Sequence, residues 1–546
     1  MQTGPGLALA RERTRRRPLT SALAAVTAVL ALGSLPLAVG AATASITLKP
    51  SVGPPTTKVT VAGTGFGAGE TVPVDFDATP VASATSSSSG SLSVTFKVPR
   101  AAVPGNHQVT AHGQTSGRTA MHTFLVRTNW ARFRFNLTNS GLNPHENVIG
   151  PSNVAGLRTA WTAATGSSIY ASPAVANGVA YIGSNDDKLY AFSAAGTANC
   201  SGTPKTCTPL WTGATSGTVV SSPAVANGVV YVGSMDGKLY AFSASGTTKC
   251  SGIPKTCTPL WTAATGNSIN ASSPAVAGGV VYVGSLDGKL YAFSASGSTN
   301  CSGTPKTCTP LWTGATGNFI VSSPAVASGV VYVGSNDHKL YAFSSSGTTN
   351  CSGTPKTCTP LWTGATGNPI ISSPAVANGV VYVGSYDDEL YAFSAAGTTN
   401  CSGTPTTCSP LWTATTSSGI DSSPAVASGV VYIGSNDGKL YAFSSSGTTN
   451  CSGTPKTCAP LWTAATGAPI EYSSPAVANG VVYVGSTDGD IYVFSASGST
   501  NCSGIPTTCI PLWVGATGAA VVSSPAVADG VVNVASEDGN LYAFSP

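Results

Sequence analysis

Apolar and polar positions follow one pattern again and again through the chain. In residues 221–243, SSPAVANGVVYVGSMDGKLYAFS, short apolar runs are cut by turn residues: 222–226 ends at Asn227-Gly228, 229–234 ends at Asp236-Gly237, and 238–243 carries Leu239, Tyr240 and Phe242. Asn-Gly supplies the positive φ angles of a tight hairpin. Runs rich in β-branched and aromatic residues read as strands, and a fourth short run lies at Leu260-Trp261. Near copies of the stretch recur eight times at a spacing of 50 or 51 residues, marked by Trp161, Trp211, Trp261, Trp312, Trp362, Trp412, Trp462 and Trp513. Four short strands in a fixed period of this length predict the blade of a propeller. The expected fold is all-β, an eight-bladed β-propeller over residues 128–546.

Upstream, residues 45–127 hold shorter runs at 46–48, 58–61, 72–76, 92–98, 107–111 and 123–126, separated by turn residues such as 63–69 and Pro104-Gly105. They predict a small immunoglobulin-like β-sandwich. Within it, Thr-Val-Ala-Gly-Thr-Gly-Phe at 60–66 resembles the opening of bacterial immunoglobulin-like domains of the IPT type. Residues 1–44 combine an arginine-rich start, an apolar run at 19–39 and Ala42-Thr43-Ala44 as a small-residue cleavage site, which reads as a signal peptide. An uncleaved anchor is the alternative. No later segment is apolar enough to cross a membrane, so a secreted or cell-surface protein is expected.

Charge adds an exclusion. Of 25 basic and 21 acidic residues, five arginines and Glu12 fall within 1–44, leaving 20 of each in the remainder. A chain with that balance lacks the clustered cations that phosphate binding needs, so nucleic acid is not an expected partner. The 14 cysteines form seven pairs with six residues between: Cys200/Cys207, Cys250/Cys257, Cys301/Cys308, Cys351/Cys358, Cys401/Cys408, Cys451/Cys458 and Cys502/Cys509. Gly and Pro inside each pair can turn the chain back, and an exported chain favours oxidation, so seven local disulfides are expected. The rival zinc reading lacks two further ligands per pair.

The lead-in to the repeats carries a family likeness. Trp130-Ala131-Arg132-Phe133, Gly141-Leu142-Asn143-Pro144, Pro151-Ser152-Asn153-Val154 and Leu157 resemble the entry of proteins with pyrroloquinoline quinone (PQQ)-like propeller repeats. Residues 228–242 are similar to that family's repeat. Two departures stand out: the family's repeat usually has Asp after the aromatic strand and a Thr-Gly a few residues before its Trp, whereas this chain has Ser193, Ser243 and their equivalents and then the cysteine-bearing insertion. The resemblance implies a propeller. It also implies, as an alternative function, a PQQ-dependent alcohol or polymer (polyvinyl-alcohol-type) dehydrogenase using PQQ and calcium. Such enzymes often carry adjacent disulfide-bonded cysteines or a Cys-x-x-Cys-His haem site, and this sequence has neither. Of His107, His112, His122, His145 and His338, only the last lies in a repeat, so no Ser, His and Asp set suggests itself. The preferred reading is an exported, non-catalytic binding or scaffold protein, expected to be a monomer without cofactor or metal, whose ligand is a protein or polysaccharide.

Eight copies against seven cysteine pairs point to a ring. If each Trp strand is the outer strand of the preceding blade, the last blade, 523–545, must borrow its outer strand from 157–163, where no insertion intervenes. Closure of this kind removes exposed strand edges. An Asp precedes each third strand (Asp186, Asp236, Asp287, Asp337, Asp387, Asp437, Asp488 and Asp538), as turn formation explains; a ring of calcium sites is the alternative, for which one Asp with a Ser or Asn per blade offers few of the oxygens calcium takes. Variation concentrates before the Ser-Pro pair, at Tyr170, Val220, Asn270, Val321, Ile371, Asp421, Glu471 and Tyr472, and around the Asp turn, at Met235, Leu286, His338, Tyr386, Asp388 and Glu389. In a propeller both connections open on one face, which makes these residues the candidate binding face. The cysteine loops are expected to project from the opposite face.

Overall fold

A computed structural model describes residues 43–546, so the expected signal peptide at 1–44 lies outside the described residues except for its last two. Apart from one 3-10 turn at Val154–Gly156, the described elements are strands. No helix among them is long and apolar enough to cross a membrane.

Each repeat builds a sheet, and the second repeat shows the pattern. Ala224–Ala226, Val229–Gly233 and Lys238–Ser243 run antiparallel in order, followed by Trp261–Ala264. The inner strand starts two residues later than the sequence pattern suggests, because Pro223 has no N–H to give. The outer strand begins at the tryptophan and extends beyond it. Asn227 and Gly228 turn the first hairpin with φ of 50° and 77°, the geometry that matches strand twist. Val230, Val232, Leu239, Ala241 and Phe242 are fully buried. Both faces of the sheet are covered: Tyr181, Leu189 and Trp211 of the previous repeat pack with Val230, Val232 and Phe242, and Val281, Val283 and Phe293 of the next pack with Tyr231, Leu239 and Ala241.

The sheets follow one another in the manner of a β-propeller. Arg158–Ala164 pairs antiparallel with Asn540–Ser545, so the N-terminal strand is the outer strand of the last repeat, with Trp161 1% exposed. At the inner end, the Ser172 N–H donates to Ser222 Oγ. Ser222, Ser273, Ser323, Ser373, Ser423 and Ser474 each do the same to the serine of the next repeat. The Ser524 N–H donates back to Ser172 Oγ at 2.8 Å.

The cysteine-bearing insertions agree with expectation in their pairing and depart from it in their placement. Seven local disulfides join Cys200 to Cys207, Cys250 to Cys257, Cys301 to Cys308, Cys351 to Cys358, Cys401 to Cys408, Cys451 to Cys458 and Cys502 to Cys509. The loops leave the ends of the third strands away from the Asp turns, as expected, but instead of projecting they lie flat along the outer strands. The hairpin of Cys250–Ser251 and Thr256–Cys257 lies on the outer strand of the preceding repeat, pairing in parallel at Thr212↔Thr256 and Gly213↔Cys257. The Thr212 N–H donates to Lys255 O at 3.0 Å. An outer strand otherwise presents unpaired N–H and C=O groups, and the hairpin satisfies them.

That placement buries half of the cysteines, which a projecting loop would leave in solvent. Cys207, Cys257, Cys308, Cys358, Cys408, Cys458 and Cys509, the second of each pair, are all buried, at 2% or 3% exposed. The reason is apolar packing on the tryptophan of the preceding outer strand. Cys207 belongs to the core cluster of Trp161, Cys257 to that of Trp211 and Cys308 to that of Trp261. Cys358 packs in the same way with Trp312, Cys408 with Trp362, Cys458 with Trp412 and Cys509 with Trp462. Their disulfide partners are only partly buried. Gly246, at φ 62°, passes so close that a Cβ would sit 2.2 Å from Trp211 Cδ1. Each insertion is thus a clasp closed over the tryptophan of its neighbour.

The lead-in crosses the ring of inner strands. Val225, Val326, Val376, Val426 and Val477 donate N–H groups to the carbonyls of Ala131, Leu137, Thr138, Ser140 and Gly141. Arg134 donates to the carbonyls of Pro475 and Pro424, Arg132 to Pro324, and Asn139 to Pro374. Burial pushes the two guanidinium pKa values down to about 10 for Arg132 and about 9 for Arg134, so both stay cationic at neutral pH.

Residues 45–126 form two sheets, one of Ser45–Lys49, Lys58–Thr64 and Leu92–Lys97, the other centred on Thr71–Phe76, Gly105–His112 and Thr119–Val126. Val59, Val61, Val72, Val74, Val109 and Phe124 are fully buried between them. Two strands are additions to the expected set: Val52–Gly53 and Thr79–Thr85. The latter is an edge strand, TPVASAT, mostly exposed, so no burial pattern marks it in the sequence. Asn147 Nδ2 donates to Ala102 O, tying this part to the lead-in, and the Thr128 N–H donates to Asp529 Oδ1, tying the lead-in to the last repeat.

Candidate functional site

The two variable connections of each repeat do lie together. The N–H groups of Asn185, Met235, Leu286 and Asn336, all just before the Asp turn, donate to the carbonyls of Ser168, Thr218, Ser268 and Phe319 on the segment leading to the Ser-Pro pair. The turn itself is held internally. Asp236 Oδ1 accepts from the Lys238 N–H at 3.0 Å and Oδ2 accepts from the Tyr240 hydroxyl at 2.6 Å. Burial, and then Asp236, push that hydroxyl up to about 12. Asp236 thus spends both oxygens on the fold, whereas the Oδ1 atoms of Asp186 and Asp337 are buried without a partner.

Where the Ser-Pro segments converge there is a cavity of about 410 Å3. Phe133, on the lead-in, is among its lining, as are members of the serine ring such as Ser172 and Ser323. Tyr170, Val220, Asn270, Val321, Ile371, Asp421 and Tyr472 of the candidate face line it as well. Met235, Leu286, His338, Tyr386, Asp388, Glu389 and Glu471 do not. His338 and Asp388 take the left-handed position of the Asp turn, with φ of 68° and 70°, and there they serve the backbone. Glu389 stands where most repeats have lysine, and burial raises its carboxyl pKa. Asn185, Asn336, Phe133, Thr218, Ala271 and Val522 complete the lining and are not among the candidate-face residues of the sequence. Asn185 and Asn336 occupy the same variable position as Met235 and Leu286, so the signal for them was present.

Charge and unsatisfied polarity set the chemistry. Asp421 is 7% exposed. Its Oδ2 accepts from Asn436 Nδ2 at 2.9 Å while its Oδ1 has no partner. The buried Oδ1 atoms of Asn185, Asn336 and Asn436 are likewise unpaired. Burial raises the Asp421 carboxyl pKa, and the neighbouring Glu471 raises it further. Burial and Glu471 also raise Glu537, and burial with Glu537 raises the Tyr170 hydroxyl. Tyr170 and Tyr472 remain 39% and 48% exposed. The cavity therefore offers acceptor oxygens and aromatic faces.

This geometry meets the comparisons with known proteins. A family model described as outer membrane protein assembly factor BamB matches residues 158–302, 260–350, 351–447, 397–503 and 454–546, running through every repeat. The chain belongs to the BamB family. A macroglobulin-like domain model matches residues 42–126, an immunoglobulin-type domain ahead of the BamB repeats. Among solved structures, BamB from Moraxella catarrhalis is similar at 16% identity and a TM-score of 0.51, covering 71% of this chain and 98% of its own. The computationally designed Ika8 protein is similar at 14% identity and a TM-score of 0.53, covering 71% of this chain and all of its own. These likenesses concern the fold. No curated protein sequence matches this BamB-family chain.

PQQ does not suit the cavity. PQQ is a tricarboxylate, and none of the residues lining the cavity is Lys, Arg or His, while Asp421 is itself an acid. No cluster of three or more His, Cys, Asp or Glu suited to a metal occurs among the described residues.

Proposed function

We propose that this BamB-family chain is an exported binding protein without catalytic activity, whose axial cavity takes a neutral, hydroxyl-rich ligand such as the end of a polysaccharide. The immunoglobulin-like sandwich at 45–127 precedes an eight-bladed propeller closed by Arg158–Ala164. The closed circuit of serine hydrogen bonds supports that blade count. Seven disulfides suit an oxidising compartment outside the cytoplasm, and we place the protein there, secreted or at the cell surface.

One observation carries the ligand assignment: Asp421 Oδ1 is buried and unpartnered, in a cavity whose lining also includes Asn185 and Asn336, each with an unpartnered Oδ1. A buried acceptor left unmade costs about 1 to 3 kcal/mol, which a ligand bearing donors recovers. Sugar hydroxyls are such donors, and the rings of Tyr170 and Tyr472 offer apolar faces to sugar C–H groups. Titration calorimetry with cello-, chito-, malto- and manno-oligosaccharides tests the reading. One class is expected to bind one-to-one, with Asp421→Ala and Tyr472→Ala each weakening it at least tenfold. If no class binds, or if both variants bind as the parent does, the cavity is not a saccharide site.

A further inference from the structure

Seven of the eight outer strands are covered by a clasp; the outer strand Trp513–Ala516 is not, and its sheet ends there. At seven equivalent positions a threonine N–H (Thr162, Thr212, Thr262 and so on) donates to a clasp carbonyl, whereas Val514 N–H has no such bond. The side chains differ in the same place. Val514, 42% exposed, replaces that threonine, and Ile510, 64% exposed, stands where other repeats have Thr, Ser or Ala. Trp513 is partly exposed, while the other eight tryptophans are buried.

A buried group points to the same absence. The hydroxyls of Tyr181, Tyr231, Tyr282, Tyr332, Tyr382 and Tyr432 each donate to the first carbonyl of a clasp, such as Tyr181 to Ala244 O at 2.9 Å. Tyr483, 0% exposed, has the same place in the uncovered sheet, and its hydroxyl has no partner. Charge differs too. Asp490 stands where five repeats have lysine, opposite Ala516, and neither it nor Asp488 forms an ion pair among the described residues.

We propose that Trp513–Ala516 is a docking edge for a strand-forming segment of a partner polypeptide, which pairs in parallel with Val514 and Gly515 as the clasps pair with the other seven edges. The recognised segment offers a carbonyl to the Val514 N–H and one to the Tyr483 hydroxyl, covers Trp513 with apolar atoms, and carries a lysine or arginine near its C-terminal end. Parallel pairing brings that end to Ala516, beside Asp490. Edge addition of this kind takes affinity from main-chain bonds and specificity from the alternating side chains.

The chain's own clasp, supplied in trans, is the probe: a synthetic disulfide-closed peptide with the sequence of residues 244–258. It is expected to bind one-to-one to the intact protein and to shield one tryptophan of the nine from acrylamide quenching. Val514→Pro removes the outward N–H and should weaken binding at least tenfold. Val514→Thr, which restores the repeat residue and keeps the N–H, should bind within a few-fold of the parent, separating backbone docking from misfolding. Absence of shielding at millimolar peptide overturns the proposal, as does equal binding by Val514→Pro. So does sedimentation showing a dimer that shields Trp513 without peptide, since the edge would then belong to a second copy.

Discussion

Two buried carboxylates, Glu70 and Asp421, have opposite surroundings. Glu70 accepts from the N–H groups of Gly67, Thr115 and Ser116 and from Ser116 Oγ at 2.6 Å. Chiefly through that hydroxyl, its pKa falls to about 2. A lowered carboxylate pKa gives stability that is present above the unfolded value and lost as pH falls through the folded one. The N-terminal domain should therefore lose thermal stability between about pH 4.5 and 2, and Ser116→Ala should flatten that part of the melting profile. Asp421 runs the other way. Its pKa is raised, so the ionised form burdens the fold at neutral pH and the burden lifts on acidification. Asp421→Asn is expected to raise the melting temperature at pH 7, with the gain shrinking as pH falls toward the usual carboxylate range, while weakening ligand binding. A residue that costs stability and serves binding is what a functional site tends to hold.

At the level of elements, the third strand of each repeat is legible because Lys-Leu-Tyr-Ala-Phe-Ser is bounded by Asp-Gly, and the observed Lys238–Ser243 matches its predicted limits. The turn at Asn227-Gly228 is legible for the same reason. The clasp is not. Its pairing partner belongs to another repeat, and two-residue strands such as Thr256–Cys257 carry no periodicity. Cavity lining was legible only in part, because variability marks tolerant positions and says nothing of which side chains point inward: Tyr170 and Tyr472 do, His338 does not. The clasp alters the expectation for the cysteines. A closed loop of about eight residues gives roughly 2 to 3 kcal/mol in the chain-entropy model, and Cys257 also packs on its neighbour's tryptophan. Cys250→Ala with Cys257→Ala should therefore speed hydrogen exchange at Thr212 in the preceding repeat as well as in the loop. Unchanged exchange at Thr212 would mean that the hairpin holds without its bridge.

For the whole molecule, the ring depends on Arg158–Ala164. Burial of Trp161 there is worth about 3 to 5 kcal/mol by analogy with large-to-small core substitutions. Trp161→Ala should lower the protection of Leu541 and Phe544 amides more than that of Leu340 and Phe343 across the ring, as hydrogen exchange with mass spectrometry would record. Equal loss in both places would argue that the last repeat is not tied through the N-terminal strand.

The lead-in has a consequence for how the chain comes to be folded. Thr128 bonds Asp529, 401 residues away, and Asn143 bonds the carbonyl of Val527, 384 residues away. Loops of that length close slowly, and contacts so distant in sequence are among the last to be made. A chain emerging from its N-terminus must hold residues 128–164 in waiting while every repeat arrives, with the outer strand exposed to mispairing until Asn540–Ser545 is delivered. The order of synthesis and the order of assembly are thus opposed, and the time between them is when this protein is most open to aggregation.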